Sequence, residues 1–399
     1  PKPQTPNPKP QTPNPKFIAM EDRQNTDKFI QYFEKVLGKT IDARQVEFNR
    51  MVGFSNDVFK VTLDAAITGK VEKYIIKKKL KNRPNQDFTL HSDEVQKFLS
   101  KNHFGPRHFY EDSEVTIEEF VESKSCTIEQ FQDVYILLQA VKQLARLNKL
   151  FETKSSELPF TNPGKTLVSQ LLDKGVYDKS ISNLKKVYSS PTSKVDKASL
   201  EKIIDYAEKS FLTAEVKEII AYLDKQKLVM CHNDFYWLNV LKKTEGGLLL
   251  IDYEYSAYNP EGWDIANYCT ERNFSYDEKT KHFIMFDTLP NLEERKLLYG
   301  FYKLCMTDKM PKCKEINSQL IYDLIRGGLK DKVDLLWVEK VSSEYYFKAM
   351  MIAVNTQWIM FNYVIFDDNP AWPLAEYTLN RMKLQERLLA DIRKAHPLD

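Results

Sequence analysis

Apolar positions recur at helical spacing in DKFIQYFEKVL, residues 27–37, behind an aspartate suited to cap a helix, which predicts that the folded part opens with one. The period then changes. VEFNRMVGFSNDVFKVTL and KVEKYIIKKKL are rich in β-branched and aromatic residues and are separated by a TGK turn, the pattern of a hairpin in an antiparallel sheet. SDEVQKFLSKN reads as a helix closed by Gly105 and Pro106, and PRHFYED and EVTIEEFVE read as further strands. From about Thr127 to Gln226 the spacing is helical, with loop breaks at ELPFTNPGK and SSPTSK. KLVMCHNDFYWLNVLKKTEGGLLLIDYEYS then sets two short apolar runs around a Gly-Gly turn, and the remainder returns to helices. Strands first and helices later predict an α+β chain in two lobes, divided here as 20–123 and 124–399.

Composition agrees with a globular chain, at 42% hydrophobic and 29% charged residues over 399 positions. The 58 basic residues are balanced by 56 acidic ones, and a net charge of +2 argues against a nucleic-acid partner. AMMIAVNTQWIMFNYVIF, residues 349–366, carries no charge over 18 positions, close to the length of a membrane span. Asn355, Thr356, Gln357 and Asn362 interrupt it, so a core helix is expected and no transmembrane segment. Five cysteines without a CxxC pair suggest reduced thiols in a cytoplasmic setting. The histidines do not cluster as zinc ligands, so any metal must be held by oxygen. Residues 1–19 hold two copies of a proline-rich heptad, PKPQTPN, and read as a disordered, solvated arm rather than a signal peptide.

The densest polar grouping in an apolar setting is His232, Asn233 and Asp234, followed by Asn239 and then by Asp252 and Glu254 around Tyr253. Phosphoryl transfer to a hydroxyl needs a carboxylate to orient the nucleophile and accept its proton, and oxygen ligands for Mg2+ on the phosphates. H-x-D-x-x-x-x-N followed by a strand ending in Asp supplies both. Asp234 is expected on a loop after the KLVM run and Asp252 on a loop after LLLI, so a hairpin brings both carboxylates and Asn239 around one phosphate. Taken singly, HND could be an ordinary turn and Asp252 an exposed strand end. Their joint occurrence favours a site.

CHNDFYWLNVL followed by LLLIDYEYSAYNPEGWDIANY closely resembles the signature of choline and ethanolamine kinases, a branch of the aminoglycoside-phosphotransferase-like group with a protein-kinase-like fold. The resemblance runs from about Arg44 to the C-terminal end and is strongest over 231–276. It implies ATP-dependent phosphorylation of a small amino alcohol at the head of phosphatidylcholine synthesis. Asp234 becomes the catalytic base, His232 an orienting group for its loop, Asn239 and Asp252 the Mg2+ ligands, and Glu254 a supporting carboxylate. The resemblance also implies a homodimer. One departure is Leu238, which precedes Asn239 where the family pattern carries Gly.

In the first lobe there is no G-x-G-x-x-G; Gly53, Phe54, Ser55 and Asn56 resemble the family's short phosphate-covering loop. The cation for the nucleotide phosphates corresponds best to Lys77, with Lys79 on the same face as the alternative. The helix carboxylate that would hold it is assigned to Glu94 rather than Asp93. Glu119, Phe120 and Val121 fall on the strand joining the lobes, where backbone groups would meet the adenine edge.

A quaternary ammonium has no N–H to donate, so a choline site must rely on aromatic faces and nearby negative charge. The family pattern places Tyr255, Tyr276, Trp358, Phe361, Trp372 and Tyr377 at acceptor positions, with Glu271 as countercharge. Phe361 stands where the choline enzymes carry Trp, and its spacing from Trp358 also suits plain core packing. Choline is expected ahead of ethanolamine, which would want several hydrogen-bond acceptors. A protein kinase is disfavoured, because Arg is missing between His232 and Asp234, DYE replaces DFG, and no APE follows. An aminoglycoside kinase would want a more acidic acceptor region. A non-catalytic kinase-fold module would be favoured by loss of Asp234, Asn239 or Asp252, and all three are present.

Overall fold

The computed structural model describes residues 20–51, 57–79, 86–274, 288–306, 335–367 and 373–395. Their contacts divide the chain into two compact units, residues up to 81 with 107–120, and residues 82–106 with 121–399. The expected first lobe, 20–123, therefore differs from this partition in two segments, 82–106 and 121–123.

The first unit pairs one helix with one sheet. Helix α1 (Met20–Leu37) begins before Asp27, which lies inside it rather than at its cap. Strands β1 (Val46–Met51), β2 (Asp57–Leu63), β3 (Glu72–Lys78), β4 (His108–Glu111) and β5 (Val115–Glu119) form an antiparallel sheet in the order β1-β2-β3-β5-β4. Between β2 and β3 the chain makes a single helical turn, α2 (Ala65–Thr68), capped by the Asp64 side chain and ended by Gly69 at φ +85°. Side chains alternate across a strand. Phe59, Val61, Leu63, Tyr74, Ile76 and Ile117 are buried in one cluster with Phe29 and Phe33 of α1. The ring centroids of Phe29 and Phe59, and of Phe33 and Tyr74, lie 5.1 Å apart. By the same alternation, Lys60, Lys77, Thr116 and Glu118 fall on the opposite face.

The second unit is largely helical. It contains α3 (Ser92–Lys101), β6 (Ser123–Ser125), α4 (Ile128–Gln132), α5 (Val134–Thr153), α6 (Leu167–Asp173), α7 (Val176–Ser189), α8 (Lys197–Tyr206) and α9 (Ala214–Asp224). The two polar breaks read from the sequence separate α5 from α6 and α7 from α8. Strands β7 (Leu228–Cys231), β8 (Val240–Lys243), β9 (Leu248–Leu250) and β10 (Ala257–Pro260) follow, β7 pairing with β10 and β8 lying between β6 and β9. Helices α10 (Trp263–Glu271), α11 (Leu292–Met306), α12 (Leu335–Ser342), α13 (Glu344–Ile365) and α14 (Leu374–Ala395) complete it. Asn148 of α5 anchors β7 from within the core, its Nδ2 donating to the Met230 carbonyl at 2.6 Å while its Oδ1 accepts from the Tyr302 hydroxyl at 2.9 Å.

The charge-free run lies in α13, buried on nearly every side. Two of its polar residues bond to α14: Asn355 Nδ2 donates to the Arg381 carbonyl at 2.8 Å, and Thr356 Oγ1 accepts from Gln385 at 2.8 Å. Among the described residues no helix is long and apolar enough to cross a membrane. Cys126, Cys231, Cys269 and Cys305 are buried and form no disulfide.

Helix α10 starts at Gly262, held at φ +96°, where an added Cβ would come within 2.8 Å of Tyr299 Cε1. Gly262→Ala combines a left-handed backbone with that clash and is expected to destabilise the fold by about 2–3 kcal/mol. Denaturant unfolding checks it; a variant as stable as the parent would show that Tyr299 yields freely.

Candidate functional site

The site is built where β7 ends. After Cys231 the chain turns at Asn233, which has φ +66°, a left-handed conformation that asparagine tolerates better than most residues. Three sets of bonds hold it there. The backbone N–H groups of His232 and Asn233 donate to the two carboxylate oxygens of Asp264, at 3.0 and 2.8 Å. Asn233 Nδ2 donates to the carbonyls of Tyr255 and Ala257, at 2.8 and 3.3 Å, and its Oδ1 accepts from Asn259 Nδ2 at 2.7 Å. Asn259 Oδ1 in turn accepts from the Leu167 N–H at the start of α6.

His232 links the two strand-end loops. Its Nε2 lies 2.9 Å from the Ile251 carbonyl, and its Nδ1 accepts the Asp234 N–H at 3.3 Å. An acceptor at Nδ1 fixes the proton on Nε2, so the ring is neutral. Burial pushes its pKa down to about 4. Gly246 and Gly247, at φ +97° and +81°, make the turn between β8 and β9, conformations glycine adopts at no steric cost. That hairpin sets Asp252, itself at φ +66°, beside Asn239, whose carbonyl accepts the Ile251 N–H at 3.0 Å.

Asn239 Nδ2 donates both to the Asp234 carbonyl, at 2.9 Å, and to its Oδ2, at 2.7 Å. Asp234 keeps part of its surface exposed but is densely enclosed by protein. Desolvation pushes its pKa well above the usual carboxylate range, with repulsion from Asp252, Glu271 and Glu254 adding to the rise and the Asn239 bond opposing it. Glu254 is buried next to Tyr253 on the turn that follows Asp252.

The aromatic residues expected at the acceptor site fall into two groups. Tyr255, Trp358 and Phe361 pack edge to face around one another, with centroids 5.4–5.6 Å apart. Tyr377 packs instead against Phe274, at 5.2 Å, and its hydroxyl accepts from Arg381. Glu271 is not a free countercharge. Its Oε1 accepts from Arg381 Nη2 at 2.7 Å, both side chains being almost completely buried. The Arg381 guanidinium also lies over the rings of Phe274, Tyr377 and Trp358, at 4.4, 4.7 and 5.8 Å. Tyr276 and Trp372 lie outside the described residues, as do Gly53, Phe54, Ser55 and Asn56.

In the first unit, Lys77 forms an ion pair with Glu118 of β5, at 3.3 Å. β5 is the strand next to β3, with Ile75 opposite Glu118 and Lys77 opposite Thr116, so the two side chains are diagonal neighbours on one face. Lys79 pairs with Glu111 at 2.5 Å. Glu94 is exposed on α3, which belongs to the second unit. The Phe120 ring lies under Lys60, at 4.4 Å, the Glu119 N–H donates to the Arg107 carbonyl at 2.8 Å, and the Val121 carbonyl accepts from the Ser123 hydroxyl at 2.8 Å.

Sequence reasoning named neither Asp264 nor Arg381 as part of the site. Asp264 had a readable signal, an acidic residue in the first turn of the apolar helix WDIANYCTE, sharing one helical face with Glu271. Arg381 had none, because TLNRMKLQERLL reads as an amphipathic helix with its charges in solvent.

The model of the choline/ethanolamine kinase family matches residues 49–364, and the chain belongs to that family. A relative from Arabidopsis thaliana named probable choline kinase 2 is 34% identical over 87 residues, 22% of this chain and 25% of that one. The chain's matches span only 21–28% of the length of the three Arabidopsis relatives. Probable ethanolamine kinase B of Dictyostelium discoideum is 22% identical over 400 residues, covering 88% of this chain and 86% of that protein. The crystal structure of choline kinase from Cryptosporidium parvum Iowa II has the same fold, with a TM-score of 0.64 over 93% of this chain and 97% of that one at 19% identity.

The neutral, buried His232 makes a prediction about pH. Between about 6.5 and 4 the unfolded chain takes up a proton that the folded chain refuses, so this residue's contribution to stability falls as pH falls. The full difference is about 3 kcal/mol. The stability gap between the parent and His232→Gln, measured by denaturant unfolding, should shift by about that amount, against the parent, from pH 7 to pH 4. A constant gap would mean that the ring is charged or solvated.

Proposed function

We propose that this chain transfers the γ-phosphoryl group of ATP to the hydroxyl of a small amino alcohol, choline ahead of ethanolamine, giving the phosphomonoester and ADP, and that it does so in the cytoplasm. One observation carries the reading. Asp234, set among three other carboxylates and held by the Asn239 amide, is tied through Asn233 to the backbone of Tyr255, whose ring packs with Trp358 and Phe361. A proton acceptor and an aromatic wall are thereby parts of one bonded assembly.

In this reading Asp234 orients the acceptor hydroxyl and takes its proton, for which a raised proton affinity is suited. Asn239 fixes the rotamer of that carboxylate. With Nδ2 committed to Asp234, its Oδ1 is the atom that would meet a metal, together with the carboxylate of Asp252. Oxygen donors in a cluster of mutually repelling carboxylates fit Mg2+, which usually takes one or two carboxylates and completes its shell with phosphates and water. When bound, the ion neutralises phosphate charge during transfer. Gly53 to Asn56, Lys77, Glu94 and the backbone of Glu119 to Val121 are the proposed nucleotide contacts. Arg381 already neutralises Glu271, so the acceptor's cation would rest mainly on ring faces, which favours a quaternary ammonium over one that needs hydrogen-bond acceptors.

Asp234→Asn is expected to lower kcat about 10²–10⁴-fold while nucleotide affinity is kept, because the proton acceptor goes and the size stays. Asp252→Ala and Asn239→Ala should each raise the Mg2+ concentration needed for half-maximal rate. A metal dependence equal to the parent's in both would put the metal elsewhere.

Mg2+-dependent ATP turnover with choline, with ethanolamine and with neither tests the whole reading, and absence of turnover with both alcohols would sink it. Trp358→Ala should lower kcat/KM for choline about 2- to 30-fold, the loss of one cation–π contact. A better kcat/KM for ethanolamine on the parent would reverse the order of the acceptors.

A further inference from the structure

Asn267 lies on α10 three residues after Asp264 and four before Glu271, so the three share one helical face, and its side chain is completely buried. Its two polar atoms go to different elements. Nδ2 donates to the carbonyl of Phe235, the residue after Asp234, at 3.2 Å. Oδ1 accepts from the indole Nε1 of Trp358 on α13, at 3.0 Å. A single rigid amide thus spans the gap between the loop that carries the base and the ring expected to face the acceptor's cation.

The chemistry of the position is restrictive. Phe235 offers an acceptor and Trp358 a donor, so the group between them must donate on one side and accept on the other. An aliphatic side chain would leave both unpaired in a dry interior, and an ionised carboxylate would point negative charge at a carbonyl. Asparagine is also short, so little rotation separates a shift of the indole from a shift of the loop.

Resting on the functional reading above, we propose that Asn267 is a positioning residue for phosphoryl transfer, setting the distance between the seat of the acceptor's cation and the carboxylate that receives its hydroxyl proton. It touches neither substrate. A chain of two hydrogen bonds carries its effect, one to each side.

The experiment is a double-mutant cycle with choline, using the parent, Asn267→Leu, Trp358→Phe and the double variant. Asn267→Leu is expected to lower kcat about 10- to 100-fold, the cost of misplacing reacting groups by up to about 1 Å. Its KM for ATP should stay within about twofold of the parent's. Both single variants break the Asn267–Trp358 bond, so the double variant should fall within about twofold of Asn267→Leu alone. Losses that multiply independently, or a KM for ATP that rises in step with the loss of kcat, would overturn the positioning role while leaving the kinase reading intact. A parent that phosphorylates neither alcohol would instead overturn that reading, and this inference with it.

Should Asn267→Leu fail to fold, Asn267→Asp answers the same question. The introduced carboxyl, while neutral, can donate and accept as the amide does; once ionised it cannot donate to Phe235. The ratio of kcat in this variant to kcat in the parent should therefore fall as pH rises from about 6 to 9 and the introduced carboxyl, which shares its helical face with Asp264 and Glu271, loses its proton. A flat ratio would overturn the proposal.

Discussion

The bond between the Asp264 carboxylate and the N–H groups of His232 and Asn233 is the constraint on which the rest of the site depends. Both donors belong to a turn that leaves β7 in a left-handed conformation, where no ladder partner is at hand, and buried N–H groups left alone would each cost about 1–3 kcal/mol. One carboxylate satisfies both at 3.0 and 2.8 Å. The arrangement has its own cost, since burial raises the pKa of Asp264 to about 6 even against the lowering by the two N–H bonds. At neutral pH the group is still ionised, and charge-assisted bonds are stronger than neutral ones. The balance favours a fixed turn, and a fixed turn is what lets Asp234 project in one direction. Gly262, at the start of α10, belongs to the same device, because its positive φ delivers Asp264 to that place.

A second constraint follows from Arg381. A guanidinium with almost no exposure needs a carboxylate, and Glu271 supplies it, while Asn355 Oδ1 and the Tyr377 hydroxyl accept further bonds and three rings lie around it. Such pairs add little to net stability against an apolar replacement, but losing one partner strands a buried charge. Their use here is geometric. The pair ties α10 to α14, and Asn355 ties α14 to α13, so the helices that carry Trp358 and Tyr377 are registered against the helix that grips the turn before Asp234.

The readable and unreadable parts of the sequence divide along physical lines. That His232, Asp234, Asn239 and Asp252 lie together was legible because they fall in one short stretch with a fixed order of strand, loop and hairpin. The α+β character and most strands were legible from period alone. The early start of α1, the turn of helix at Ala65–Thr68 and the sheet order were not, because each depends on what a segment packs against. The ion pair between Lys77 and Glu118 could not be read from period either, since the two are neighbours only because β5 lies between β3 and β4, and the pairing of Lys77 with Glu94 stays an expectation. Arg381 was invisible because its partner Glu271 is 110 positions away in sequence. The assignments to Gly53, Phe54, Ser55, Asn56, Tyr276 and Trp372 fall outside the described residues and stay as expectations.

Core packing and the proposed ligand contact do not exclude one another at Trp358. The ring is 7% exposed, packs edge to face with Tyr255 and Phe361, and spends its only donor on Asn267. All of that is core behaviour. Yet a wall that must hold a cation at a set distance from a base needs the rigidity that core packing provides, since a mobile ring would lose binding energy to its own ordering. The positions that look most structural in α13 are therefore the ones best suited to define an acceptor site, and the same holds for α10. Its buried face reads as helix packing until each polar atom is followed to its partner: Asp264 to the turn before Asp234, and Glu271 to the arginine behind the rings.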